Sequence, residues 1–366
     1  MLFRSYEGTP IFAEKITASC PKPSSDGQYR WVFELYFGYV KERDQENPMF
    51  YDLPIDLSLR SRAEQILAQA MTDGWDTCFN AHVKAWKADI WDHQIELPGA
   101  DPDIQKMVNS CFYIIGCTYL NGLAYGNGPN GITGQAWDGR TFWDHDLWVN
   151  LGILLWAPDL AKNFNYFRYN TMKGAEENRK EYVMALDSLG ILQKYGLKIT
   201  EGIKYPWEST SSGLERCPHE LGTGATIQEH IVCDVIHGMW LQWLVQQDRQ
   251  YLENIAFPVA YQSALYLGQR INKEADGKWH FRYILPADEF AIGGVHDNAF
   301  TNLYVEKCMK IVIDWCKLLG KDYPKHWEEI ACNMKYHFDA KNKRIIEHEE
   351  YRSEERRVGK ECRSRW

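Results

Sequence analysis

A chain of 366 residues, 45% hydrophobic and 14% aromatic, has ample material for one large core or two ordinary ones. Its net charge of −9 argues against a nucleic acid or an anionic membrane as partner. Ten cysteines without CxxC spacing fit buried free thiols better than a disulfide framework or a zinc site, and no apolar run approaches the roughly 18 residues of a membrane span.

Taken in order, residues 11–20 and 31–40 read as two strands rich in β-branched and aromatic residues, joined by the turn formers of 21–27. A hairpin of this kind is marginal alone, so 1–56 is expected to be the tail of a larger β-domain. No apolar stretch follows Met1 to make a signal peptide; free-thiol usage favours the cytoplasm, while the compartment itself stays open. From residue 57 the period changes to that of helices. Candidates are 58–72 and 75–91, divided at Asp73-Gly74, then 103–121, 147–156, 159–171, 175–189, 226–247, 252–272, 298–319 and 324–338. Helices joined by short loops, with no alternating strands, argue for an all-α domain over 99–351 preceded by linker helices over 57–98. The last fifteen residues hold six Lys/Arg and three Glu, and break with what precedes them. They resemble the conceptual translation of a sequencing adapter, so 352–366 is set aside from fold reasoning and the natural sequence is expected to run on differently after Tyr351.

Four stretches carry polar chemistry. Gly126-Asn-Gly-Pro-Asn-Gly131 lacks the Lys-Ser/Thr of a phosphate loop and reads as a turn needing positive φ. Phe142-Trp-Asp-His-Asp-Leu-Trp148 reads plainly as a capped helix start with core tryptophans. In Tyr205-Pro-Trp-Glu-Ser209, Gly213-Leu-Glu-Arg-Cys-Pro218 and Gln228-Glu-His-Ile231, acids and histidines cluster where a loop enters a helix, without the spacing of a metal site. Leu285-Pro-Ala-Asp-Glu-Phe290 sets Asp288 and Glu289 beside a proline turn, before the helix opened by Val295-His-Asp-Asn298. Read from residues alone, this acidic pair is solvated; against apolar walls, the same carboxyl would titrate near neutrality and transfer protons.

Together these stretches resemble glycoside hydrolase family 65, over roughly His82 to Tyr351. The 285–302 stretch is similar to its general-acid motif P-D-E-Y-H…V-x-N-N-x-Y-T-N, with Ala287 before Asp288, Phe290 in place of Tyr, and Asp297-Asn298 in place of the Asn pair. Phe142-Trp-Asp-His-Asp146 resembles the F-W-D-x-D of the family's hydrolases, where its phosphorylases usually read F-W-D-T-E. Residues 207–218 resemble the W-E-S-x-x-S-G-x-E-x-C-P of its α-glucosidases, including the enzyme acting on glucosyl-galactosyl-hydroxylysine. His82, Trp86 and Trp91 follow its linker helix, while 173–204 looks longer than the family's loop there. The resemblance implies an (α/α)6 toroid, incomplete in this chain, behind the tail of an N-terminal β-sandwich. It implies an inverting α-glucosidase with Glu289 as proton donor and Phe142, Trp143, Asp144, Trp207, Glu208, His230 and Asn298 lining a glucose subsite. It implies no cofactor and no metal. The partner is a small α-glucoside or glucosylated glycan, and a homo-oligomer is compatible with it. The family's base, and any phosphate loop, lie beyond the point matched by Tyr351, so the polypeptide itself is expected to be inactive. Two alternatives stand beside this reading: an inverting disaccharide phosphorylase using inorganic phosphate, and a carbohydrate-binding protein without catalysis.

Overall fold

The computed structural model describes residues 57–118, 124, 126–129, 131, 139–217, 227–287 and 294–351. The strands expected over 11–20 and 31–40, the segment 352–366, and Asp288 and Glu289 lie outside the described residues. The chain divides into two units, the first of which contributes residues 57–83 to the description. These are helical, the front of α1 (Leu57–Asp89), and Gly74, at φ 77°, interrupts the helix where Asp73-Gly74 divides the periodicity. Trp75 stacks on Phe79 within this stretch, with ring centroids 5.9 Å apart.

The second unit is built around one helix. α7 (His230–Gln246) is apolar on nearly all sides, as a helix must be when it is enclosed rather than laid on a surface. α3 (Asn150–Leu154), α4 (Pro158–Asn170), α9 (Phe257–Arg270) and α10 (Ala299–Leu319) pack against it. Its Ile231, Val235, Ile236 and Met239 join Tyr266 and Leu267 of α9 and Val305, Met309 and Val312 of α10 in the main core. The same core takes in Tyr182 and Leu186 of α5 (Met172–Ser188) and Ile191 of α6 (Ile191–Tyr195). A smaller core joins Ile90 and Phe112 to Ile153, Leu160 and Phe164; Phe112 sits on α2 (Pro102–Thr118).

Local chemistry sets the ends of these elements. α10 begins where Asn298 caps it, accepting from Thr301 N–H at 2.9 Å, and stops at Gly320 in the left-handed conformation. α8 (Arg249–Tyr251) is capped by Asp248 and runs through a π-helical turn, Leu252–Ala256, directly into α9. The mainly-α class expected from the periodicity is the class observed.

Two expectations are corrected. The helix expected over 324–338 is only α11 (His326–Ile330). Beyond it the backbone turns sideways: Asn333 O accepts from Trp279 N–H, and Lys335 N–H donates back to Trp279 O, so helix hydrogen bonds are traded for bridge ones. Strands are also present as two antiparallel pairs, β1 (Asn272–Lys273) with β2 (Trp279–His280) and β3 (His337–Asp339) with β4 (Arg344–Ile346). Each closes around a polar turn, too short to leave an alternating pattern in the sequence.

Candidate active site

Two loops are stitched together where their aromatic residues meet. Thr141 and Ser209 exchange backbone hydrogen bonds of 3.0 and 2.8 Å, which lays Phe142-Trp143-Asp144 alongside Trp207-Glu208. After Asp144 the chain enters a π-helical turn, His145–Val149, leading into α3. Trp143 stands edge-on to His230 at the start of α7 with centroids 4.9 Å apart, and Trp207 stands edge-on to the same imidazole at 6.1 Å. Phe142 meets Trp207 at 5.5 Å, and Phe300 of α10 approaches His230 at 5.9 Å. Four of the residues expected in the site therefore form one cluster, Phe142, Trp143, Trp207 and His230, and Asp144 follows Trp143 in the chain.

Charges in the cluster divide into held and uncommitted ones. The Asp144 carboxylate is half-buried and in no ion pair among the described residues, and burial pushes its pKa up. Asp146, two residues on, is fully committed to Arg168 in a buried pair with contacts of 3.0 and 2.5 Å. Glu208 is buried and accepts from Arg140 at 2.8 Å, while Arg140 also donates to Arg216 O at 3.0 Å and so ties both loops together. The His230 ring is fixed at both nitrogens, with Nδ1 2.8 Å from Asp234 Oδ2 and Nε2 3.0 Å from Gln228 Oε1. Asn298 is buried and spent on its helix cap, its Oδ1 accepting from Thr301 and its Nδ2 donating to Glu347 O at 3.2 Å. It belongs to the same helix mouth through Phe300, two residues away.

Glu289 lies outside the described residues, but both flanks of its segment are placed. Ile284 and Val295 pair with each other at 3.0 and 2.7 Å. Leu285 N–H donates to Ile227 O at 2.9 Å, just ahead of α7 and His230.

The sequence model of the glycosyl hydrolase family 65 central catalytic domain matches residues 123–364, about two thirds of the chain. The chain belongs to glycosyl hydrolase family 65. The matched span includes every residue of the cluster and runs past Tyr351. Among curated relatives, the kojibiose hydrolase of Mucilaginibacter mallensis is 28% identical over 274 residues, covering 75% of this chain and 38% of that protein. The protein-glucosylgalactosylhydroxylysine glucosidase of Dictyostelium discoideum is 27% identical over 284 residues, covering 76% of this chain and 37% of that protein. The chain thus spans under two fifths of the length of these relatives. A solved chain from the human microbiome, provisionally named a kojibiose phosphorylase, shares the fold with a TM-score of 0.63 at 19% identity, covering 83% of this chain and 41% of its own.

Within this family-65 domain, several residues that organise the cluster escape a motif reading. Glu215 accepts backbone N–H bonds from Trp207 (2.6 Å), Glu208 (2.9 Å), Arg216 (3.1 Å) and Cys217 (3.1 Å), so one carboxylate folds the loop that presents Trp207. Asn178 of α5 holds the same loop through Gly213 O at 2.8 Å and Glu215 N–H at 2.9 Å. Asp234 was visible only as an acid one turn after His230 on an apolar helix, the spacing of an i, i+4 pair. The glycine run 126–131 behaves as a turn, with Gly131 at φ 62°. Asp297, His337 and Glu349 bring ligand-type atoms within 4.8 Å of one another. Arg282 stands 3.0 Å from Asp297 and 2.5 Å from Glu349, and the same guanidinium is paired with Glu274 at 2.7 Å.

Proposed function

We propose that the cluster is the glucose-binding end of an inverting α-glucoside hydrolase site, with Glu289 as its general acid. The observation that carries this reading is the convergence of Trp143, Trp207 and His230 next in the chain to Asp144, whose half-buried carboxylate is in no ion pair among the described residues. A pyranose has apolar C–H faces and an equatorial belt of hydroxyls. Indole rings pack on the former, and a carboxylate accepts from two of the latter. Glu208, neutralised by Arg140, shapes the same wall without adding net charge. The names of the relatives, a kojibiose hydrolase and a glucosyl-galactosyl-hydroxylysine glucosidase, support an α-linked glucose as the group removed.

In this reading Glu289 protonates the departing glycosidic oxygen while a second carboxylate, roughly 6.5–9.5 Å away, activates the attacking water on the opposite face. The test is a titration of 1–366 with glucose and kojibiose, read by tryptophan fluorescence, beside an assay for released glucose. Saturable binding that Trp143→Ala abolishes is expected, and any glucose released should be lost in Glu289→Gln. Absence of binding by the unmodified chain sinks the proposal. In a longer protein carrying the whole family domain, a requirement for inorganic phosphate with glucose 1-phosphate as product would replace the hydrolase reading with the phosphorylase one.

A further inference from the structure

Where α7 and α10 meet, they leave an apolar groove of about 700 Å³, lined by Trp240 and Trp243 from α7 and by Phe300, Leu303 and Leu318 from α10. Three of these side chains stand well out: Phe300, Leu303 and Leu318 are 44%, 60% and 47% exposed. Single apolar residues scattered over a surface need no account, but large ones gathered along one groove mark a contact surface.

The charges on this face say what fits it. Along α10, Leu303, Lys307, Lys310, Asp314 and Leu318 follow one another at three- and four-residue steps, the spacing of one helical stripe. Lys310 and Asp314 are exposed and Lys307 is half-buried. Glu306, the other acid lining the groove, is already spent on the Met334 N–H at 3.0 Å. Lys307 holds its ammonium toward α7, 3.1 Å from His237 Nε2 and 4.7 Å from the centre of the Trp240 ring, which leaves it donors to spare. The stripe thus runs apolar, basic, basic, acidic, apolar. Turned end for end about the midpoint between Lys310 and Ile311, it complements itself. Leu303 falls opposite Leu318, and Lys307 falls opposite Asp314, with Lys310 one turn away from the same carboxylate. From Leu303 to Leu318 the helix covers about 22 Å at 1.5 Å per residue, several turns of contact. A wholly acidic partner would repel Asp314, and a wholly basic one would repel the lysines. A reversed copy of the same stripe satisfies both signs.

We infer that α10 and the groove beside it form a two-fold interface between two copies of this chain, with the two α10 helices antiparallel. Each α10 lies along the groove of the other copy, so Leu303 and Leu318 are covered together with Trp240 and Trp243. A two-fold contact uses the same patch on both partners and closes on itself, so assembly stops at the dimer. Nothing in this interface depends on the sugar reading of the cluster.

Sedimentation equilibrium of 1–366 at micromolar concentrations tests it, with far-UV circular dichroism confirming that each variant is folded. The unmodified chain is expected at twice the chain mass. Leu303→Asp, at a position too exposed to unsettle the core, should leave a monomer. Asp314→Lys makes the charges of the stripe all basic, and Lys307→Glu with Lys310→Glu makes them all acidic. Each of these should weaken self-association by about tenfold or more, because like charges then face one another. Mixed in equal amounts, the basic and the acidic variant should recover the dimer. A monomeric unmodified chain overturns the interface, and so does assembly that continues past two copies. A dimer that survives either Leu303→Asp or the charge variants places the contact elsewhere and overturns it too. Charge variants that dissociate but do not recover on mixing overturn the antiparallel pairing.

Discussion

Single side chains decide the shape of the cluster, and Glu215 shows how. A carboxylate has about four lone-pair sites, and this one accepts four backbone N–H groups from the loop that presents Trp207. Burial pushes its pKa up, opposed by Lys204 and by those same N–H donors. Glu215→Gln halves the acceptor oxygens and places an NH2 against backbone donors. We expect a loss of about 1–3 kcal/mol in urea unfolding and weaker glucose binding, with the Trp207 emission shifted to the red. His237 makes a prediction in pH. Burial, then the Lys307 charge, holds its pKa down at about 4 from the usual 6.5. The unfolded chain therefore binds a proton between those values that the folded chain refuses, so stability falls as pH drops from 6.5 toward 4. His237→Gln should flatten that part of the profile in chemical denaturation, and an unchanged slope would contradict the placement of the ring between Tyr304 and Lys307.

Whole helices were legible in the sequence where both ends carried a local signal. α10 was expected over 298–319 and runs Ala299–Leu319, because Asn298 has a side chain able to cap and Gly320 has none to oppose a positive φ. The expected helix over 324–338 had a period but no stop signal, and its second half was claimed by bridges to Trp279, a partner 55 residues away in sequence that no local pattern announces. The same limit applies in the site. Phe142-Trp143-Asp144 and Trp207 could be singled out by motif, yet nothing in the spacing says that Asp146 goes to Arg168 while Asp144 is in no ion pair among the described residues. Nor could the sequence show that Asn298 is consumed by its cap. That cap yields a prediction at the scale of the element. Asn298→Ala leaves the Thr301 N–H and hydroxyl without their acceptor and should cost about 0.5–2 kcal/mol. Differential scanning calorimetry would record it as a lower melting temperature with little change in the glucose affinity of the cluster.

Within the second unit, one buried ion pair joins several elements. Glu229, immediately ahead of α7, takes Arg270 Nε at 3.0 Å from the end of α9, the Tyr266 hydroxyl at 2.7 Å from the middle of α9, and the Tyr182 hydroxyl from α5. Arg270 continues to the carbonyls of Arg282 and Tyr283, 2.9 Å each, in the segment that leads to Ile284 and its pairing with Val295. Both charged side chains are fully buried. A buried pair of this kind adds little net stability over an apolar replacement, because desolvation offsets the attraction, but removing one member strands the other. Arg270→Met is therefore expected to cost about 3–5 kcal/mol, with Glu229 left charged among tyrosines and two carbonyls left without donors. Arg270→Met with Glu229→Gln removes the stranded charge and should recover part of that loss. Equilibrium unfolding of the three variants against the unmodified chain measures the coupling. If the double variant is no more stable than Arg270→Met alone, the pair is not what ties α5, α7, α9 and the segment before Ile284 into one cooperative unit.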